Sequence, residues 1–205
     1  MSRHERRYQR YLERMRQKKG SRAAALEEAG ATARDMALVA DAPLLEALVP
    51  TKLSELGIGN LVFGRSLPDG RIALSVFLLD TYCLGVKNAF FRIVSREEYA
   101  QRLRNWSLTE TLQPMQPECF RKLVEGGVAY AQELGFDPHE DYEVARQIFG
   151  DVQAAACPKH FEYGHNGKPL YVSGPNETAA QVRSIMAQLE RRRGPGNFDY
   201  VILAE

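Results

Sequence analysis

The sequence predicts an α+β fold, with a mixed or antiparallel sheet built from hairpins, several packed helices and an N-terminal helical extension. Three observations carry this expectation. Two runs rich in Val, Ile, Leu and Phe flank the strong turn signal Leu67-Pro68-Asp69-Gly70. Helix-start signals stand at Ser95-Arg96-Glu97-Glu98, at Pro117 and at Asp137-Pro138-His139-Glu140. Strand and helix signals do not alternate regularly, as a βαβ architecture requires.

Residues 1–42 are predicted to form an extension, basic at first and then alanine-rich and helix-favouring, interrupted at Gly30 and ended by Pro43. The residues 43–193 are expected to form a single α+β domain, and 194–205 a tail able to add a strand. Leu44, Leu45, Leu48 and Val49 are read as a short apolar turn ahead of Pro50. The runs 60–65 and 71–79 should form a hairpin, its second strand central because it is apolar on nearly both faces. A third strand is expected at 89–94. The capping box at Ser95 then opens a helix towards Trp106. Pro117 opens another, burying Phe120, Leu123, Val124, Val128 and Ala131 and stopping at Gly135. A third helix is predicted from Asp137 to a stop at Gly150. Residues 161–163 and 168–172 flank His165-Asn166-Gly167, a strong hairpin signal. The last helix is predicted over 175–193, with a final strand at 200–203.

Composition narrows the function classes. The chain has 205 residues, 44% hydrophobic and 26% charged, which excludes collagen-like and low-complexity classes. No apolar run reaches membrane-spanning length and the N-terminus is charged throughout, so no membrane partner and a cytoplasmic location are expected. Cys83, Cys119 and Cys157 are odd in number and widely spaced, which reads as reduced thiols.

The net charge of +1 conceals an uneven distribution. Residues 1–22 hold nine basic residues (Arg3, Arg6, Arg7, Arg10, Arg14, Arg16, Lys18, Lys19 and Arg22) against Glu5 and Glu13, a net of +7. The remaining 18 basic and 24 acidic residues give the body −6. Tyr8, Tyr11, Leu12 and Met15 fall at helical spacing, so the arm can form a basic amphipathic helix suited to phosphates or to a partner protein. A solvated tail that aids solubility is the plain alternative.

Three blocks, VFLLDTYCLGVKNAF at 76–90, GGVAYA at 126–131 followed by LGFDPH at 134–139, and GKPLYVSGP at 167–175, resemble a bacterial family of uncharacterised proteins. The resemblance covers roughly residues 50–190 and implies a bacterial cytoplasmic protein built as one module. It implies no activity, substrate or catalytic residue.

The densest chemical candidate is Asp80-Thr81-Tyr82-Cys83-Leu84-Gly85-Val86-Lys87, where a carboxylate, a thiol and an amine follow a central strand. Asp80 could hold a divalent metal or act as a base and Lys87 could neutralise a phosphate, as metal-dependent phosphodiester hydrolysis needs. That chemistry requires further converging carboxylates, for which Asp69, Glu98, Glu140, Asp141 and Glu143 are available. In the structural alternative Asp80 caps a turn, Gly85 supplies a special backbone angle and Cys83 packs as a small hydrophobe. Cys157, His160 and His165 offer three weak zinc-ligand candidates, one short of a structural site. Cys83 with His139, His160 or His165 forms no recognised nucleophile motif. Gly57-Ile58-Gly59 lacks a third glycine and no phosphate-binding loop occurs, so no cofactor is expected. Phe90, Phe91, Trp106, Phe161, Tyr163 and Tyr171 could stack on bases beside Arg65, Arg71 or Arg92, although strands normally bury such rings. The leading expectation is therefore a non-enzymatic protein using the basic arm to contact nucleic acid or a nucleic-acid-rich assembly. A hydrolase centred on Asp80 and Lys87 is the alternative, and an adaptor docking through the arm or the tail is a third reading.

Overall fold

The computed structural model describes residues 38–174 and 177–202. The basic arm and the alanine-rich stretch up to residue 37 lie outside them. The described chain is α+β, and its principal sheet has five antiparallel strands in the order β4-β3-β2-β1-β5. These are β1 (Leu44–Pro50), β2 (Ile58–Ser66), β3 (Ile72–Asp80), β4 (Gly85–Val94) and β5 (Leu112–Pro114), with the one-turn helix α1 (Leu53–Leu56) between β1 and β2.

The predicted hairpin forms, with β2 and β3 paired from Ile58↔Asp80 to Ser66↔Ile72. Its turn closes with the Gly70 N–H donating to the Leu67 carbonyl at 3.0 Å. Period-two alternation then fixes the two faces of the sheet. Leu61 and Phe63 of β2 and Ala73, Phe77 and Leu79 of β3 face α3 (Pro117–Glu133), and Val62, Leu74 and Val76 face α2 (Arg96–Ser107). Phe63, Phe77, Phe120 and Phe149 form a cluster of rings, with centroids 5.2 Å apart for Phe63 and Phe120. Such pairs add roughly 0.5–1.5 kcal/mol each beyond area burial. The Ser95 hydroxyl caps α2 by accepting from the Glu98 N–H, as the sequence predicts, but the Glu98 carboxylate accepts from Arg102 instead of completing the capping box. α3 begins with Pro117 in its first turn and ends before Gly135 at φ 85°, also as predicted.

Arg65, only 4% exposed, joins the loop layer to the sheet. It donates to the carbonyls of Ala42, Ile148 and Phe149 at 2.5, 2.6 and 2.8 Å. Burial lowers its pKa, and Asp151 opposes that shift. Val39 and Ala42 are buried in the same core, so the packed unit already includes residues just before Pro43.

Five local expectations are corrected. Residues 44–50 are a strand rather than a turn. The leucines and Glu46 disguise it, but Ala47 and Val49 point to one core and Leu48 to the other. Between Asp137 and Gly150 only a short helix α4 (Tyr142–Ala145) and a 3₁₀ turn (Arg146–Phe149) form. The His139 N–H is spent on the Val86 carbonyl of β4 at 2.9 Å, which holds the intended first turn against the sheet. The tight turn at Asn166-Gly167 forms, both residues having positive φ, but residues 161–163 do not pair with 168–172. The N–H groups of Gly164 and Leu170 instead reach the carbonyls of Thr81 and Tyr82. β6 (Leu170–Val172) is thereby left to pair in parallel with β7 (Asp199–Val201). The last helix, α5, spans Ala179–Arg193 and starts at a Thr178–Gln181 capping box rather than at 175.

The cysteines, fifth, are not all reduced thiols. Cys119, at the start of α3, and Cys157 form a disulfide, leaving Cys83 as the free thiol. The fold brings together residues 38 positions apart, which spacing along the chain could not reveal.

Candidate functional site

The segment after β3 folds into a tight turn around the Asp80 carboxylate. Oδ1 accepts from the N–H groups of Tyr82 at 2.9 Å and Cys83 at 3.0 Å, and Oδ2 accepts from Leu84 N–H at 3.2 Å. This is the side-chain-to-backbone capping for which aspartate is favoured in turns. Burial pushes the carboxyl upward, opposed by those three N–H donors and by Lys87. Gly85, at φ 65°, closes the turn where a Cβ would lie 2.8 Å from the Gly127 carbonyl of α3. A glycine is required there by conformation and by the close approach of the helix.

Cys83 is fully buried in a third, smaller core with Leu84, Leu134, Tyr171 and Leu189. Burial, with Asp80 nearby, pushes its thiol well above the ordinary range, which suppresses the nucleophilic thiolate. Lys87 lies on β4 and its Nζ is 2.7 Å from Glu177 Oε1. Glu177 Oε2 accepts from the Tyr171 hydroxyl at 2.5 Å. Burial raises the Glu177 pKa, but the hydrogen bonds from Lys87, Tyr171 and the Gly174 backbone outweigh it and hold the carboxyl below the ordinary range. The three chemical candidates are therefore adjacent in space but engaged in three different internal tasks: turn capping, core packing and an ion pair that anchors the approach to α5.

The acids available for a metal centre are dispersed. Asp69 pairs with Arg71, Glu98 with Arg102, and Glu143 with Arg146. Among the described residues, no three His, Cys, Asp or Glu side chains converge to hold a metal ion. The zinc candidates are corrected on chemical grounds, because Cys157 is oxidised in the disulfide and cannot supply a thiolate. His165 instead lies with its ring centroid 5.1 Å from that of Tyr82. Phe91 and Tyr171 are buried, and Phe90, Trp106, Phe161 and Tyr163 pack against the cores, so these rings serve the interior.

A cleft of about 450 Å³ that the sequence did not signal opens beside the turn. Leu53, Met115, Leu123 and Phe161 contribute its apolar lining, and Thr51, Thr81, His160 and His165 its polar groups. They come from five separate stretches of chain, so no local motif could have announced it. No protein-family model matches the chain, and neither a curated protein nor a solved structure gives a match to it. Among the described residues no helix is long and apolar enough to cross a membrane.

Proposed function

We propose that this chain is a non-enzymatic binding protein whose basic N-terminal segment contacts nucleic acid. The observation that carries the reading is the concentration of nine cationic side chains and two acidic ones in residues 1–22, against a body of net −6. Cations at this density exchange condensed counterions for direct phosphate contacts, a favourable and salt-sensitive process. The body supports the reading by what its reactive groups are engaged in. The Asp80 carboxylate is occupied by three backbone donors, Lys87 by Glu177, and Cys83 by the apolar core. A two-metal hydrolase needs converging carboxylates and a water-accessible base. Fluorescence anisotropy with a labelled single-stranded oligonucleotide tests the proposal. The full chain should bind in low salt, and deletion of residues 1–22 should weaken binding at least about tenfold. Equal weak binding by both chains would remove it.

A further inference from the structure

We infer that the C-terminal end of α5 and strand β7 form a second nucleic-acid contact, a single-strand surface on which Tyr200 stacks a base while Arg191, Arg192 and Arg193 hold the flanking phosphates. It rests on the nucleic-acid reading above and places a contact on the folded body, away from the arm.

The surface combines two properties that need different explanations. Arg191, Arg192 and Arg193 fill the last turn of α5, where positive charge complements the helix dipole, and all three are exposed. The turn after them is held by Asn197 Nδ2 donating to the Arg193 carbonyl at 2.9 Å. Lys168 Nζ donates to the Gly196 carbonyl at 3.0 Å, bringing a fourth cation to the same turn. Glu190 and Asp199 are the acids of this stretch, and they leave it net positive. The helix dipole accounts for one or two such cations but not for the exposed apolar residues that follow them in the chain.

That surface begins immediately after the turn. Phe198, half-buried, packs on the third core, and the Tyr200 ring neighbours it, with centroids 6.4 Å apart. Tyr200 is 55% exposed, and Val201 and Ile202 are also exposed. A ring carried on a paired strand, with a half-buried ring beside it, is a stacking platform with less conformational freedom to lose than one on an open loop. The partner must therefore offer negative charge at close intervals and flat apolar faces between the charges. Single-stranded nucleic acid has that chemistry, and stacking accepts every base, so the surface should bind with little sequence preference.

The test uses the full chain and a labelled oligothymidylate, with anionic phospholipid vesicles and an abasic oligonucleotide of equal length as parallel probes. Tyr200→Ala should weaken oligothymidylate binding about tenfold and leave abasic binding almost unchanged, whereas Tyr200→Phe should restore stacking. Changing Arg191, Arg192 and Arg193 together to Gln should weaken both oligonucleotides and flatten the salt slope by about 2. An unchanged far-UV spectrum and melting temperature would show that these exposed substitutions leave the fold intact. A full chain with Arg6, Arg7, Arg10 and Arg14 changed to Gln separates the two readings. If it alone loses affinity, the second contact is overturned and the arm reading stands. If no variant loses affinity, both fall. Loss with the arginine variant but not with Tyr200→Ala overturns the stacking surface. Binding to vesicles through Tyr200 without binding to oligonucleotide overturns it in favour of a membrane-facing patch.

Discussion

Asp80→Ala is the substitution that most sharply separates a turn-capping carboxylate from a catalytic one. It removes the acceptor for three N–H groups, two of which belong to the buried residues Cys83 and Leu84. Leaving a buried donor unsatisfied costs about 1–3 kcal/mol. Relief of the carboxylate's own burial penalty offsets part of this, so a net loss of about 3 kcal/mol is expected. With a urea dependence of about 2–3 kcal/mol per molar, the unfolding midpoint should fall by about 1–1.5 M. Asp80→Asn keeps one carbonyl acceptor but turns an amide towards one of the donors, and should lose roughly half as much. Urea unfolding followed by circular dichroism reads both. An Asp80→Ala protein within about 0.5 kcal/mol of wild type would refute the capping argument. An Asp80→Asn protein of unchanged stability that loses a divalent-metal-dependent turnover would favour the hydrolase.

Three further outcomes follow from internal contacts. Arg65→Met leaves the carbonyls of Ala42, Ile148 and Phe149 without their donor and should cost about 3–5 kcal/mol by the same urea measurement, with Arg65→Lys recovering only part because its single ammonium cannot reproduce the guanidinium fork. Glu177, held below the ordinary carboxylate range, contributes stability that is complete above about pH 4.5 and lost as pH falls through its lowered value. Asp80, pushed upward, acts in the opposite sense, so the acid limb of wild type should be compared with that of Glu177→Gln, which is expected to be shallower. Thiol titration in denaturant should find one reactive cysteine before reduction and all three after it, and the double change of Cys119 and Cys157 to Ser should cost about 2–4 kcal/mol for a loop of this length.

The parts of the fold legible in the sequence are those set by local chemistry. Leu67-Pro68-Asp69-Gly70, Ser95 with Glu98, and Pro117 with Gly135 mark one hairpin and two helices because each signal satisfies backbone groups within a few residues. Where backbone donors are satisfied by distant partners, local reading fails. His139 has the signature of a first helical turn, yet its N–H binds β4; Gly164 and Leu170 flank a good hairpin turn, yet bind the Asp80 turn. Leu44–Pro50 carries helix-forming residues but serves as a strand between β2 and β5 because the sheet requires it there. The candidate site divides in the same way. Asp80 as a turn cap was legible from Asp and Gly five residues apart, whereas the Lys87–Glu177 pair spans 90 positions and the disulfide 38, so only the fold reveals them. Tyr200 was legible as part of a final strand, but not as an exposed ring packed on Phe198.

The central claim is that the basic segment contacts phosphates, and its most direct measurement is the salt dependence of oligonucleotide affinity for the full chain and for the chain beginning at residue 23. On single strands each neutralised phosphate contributes about −0.7 to the slope of log K against log salt. With about five of the nine cations engaged, the full chain should show a slope about 3.5 units steeper than the shortened one, and higher affinity at low salt. Equal slopes and equal affinities for the two chains would contradict the account.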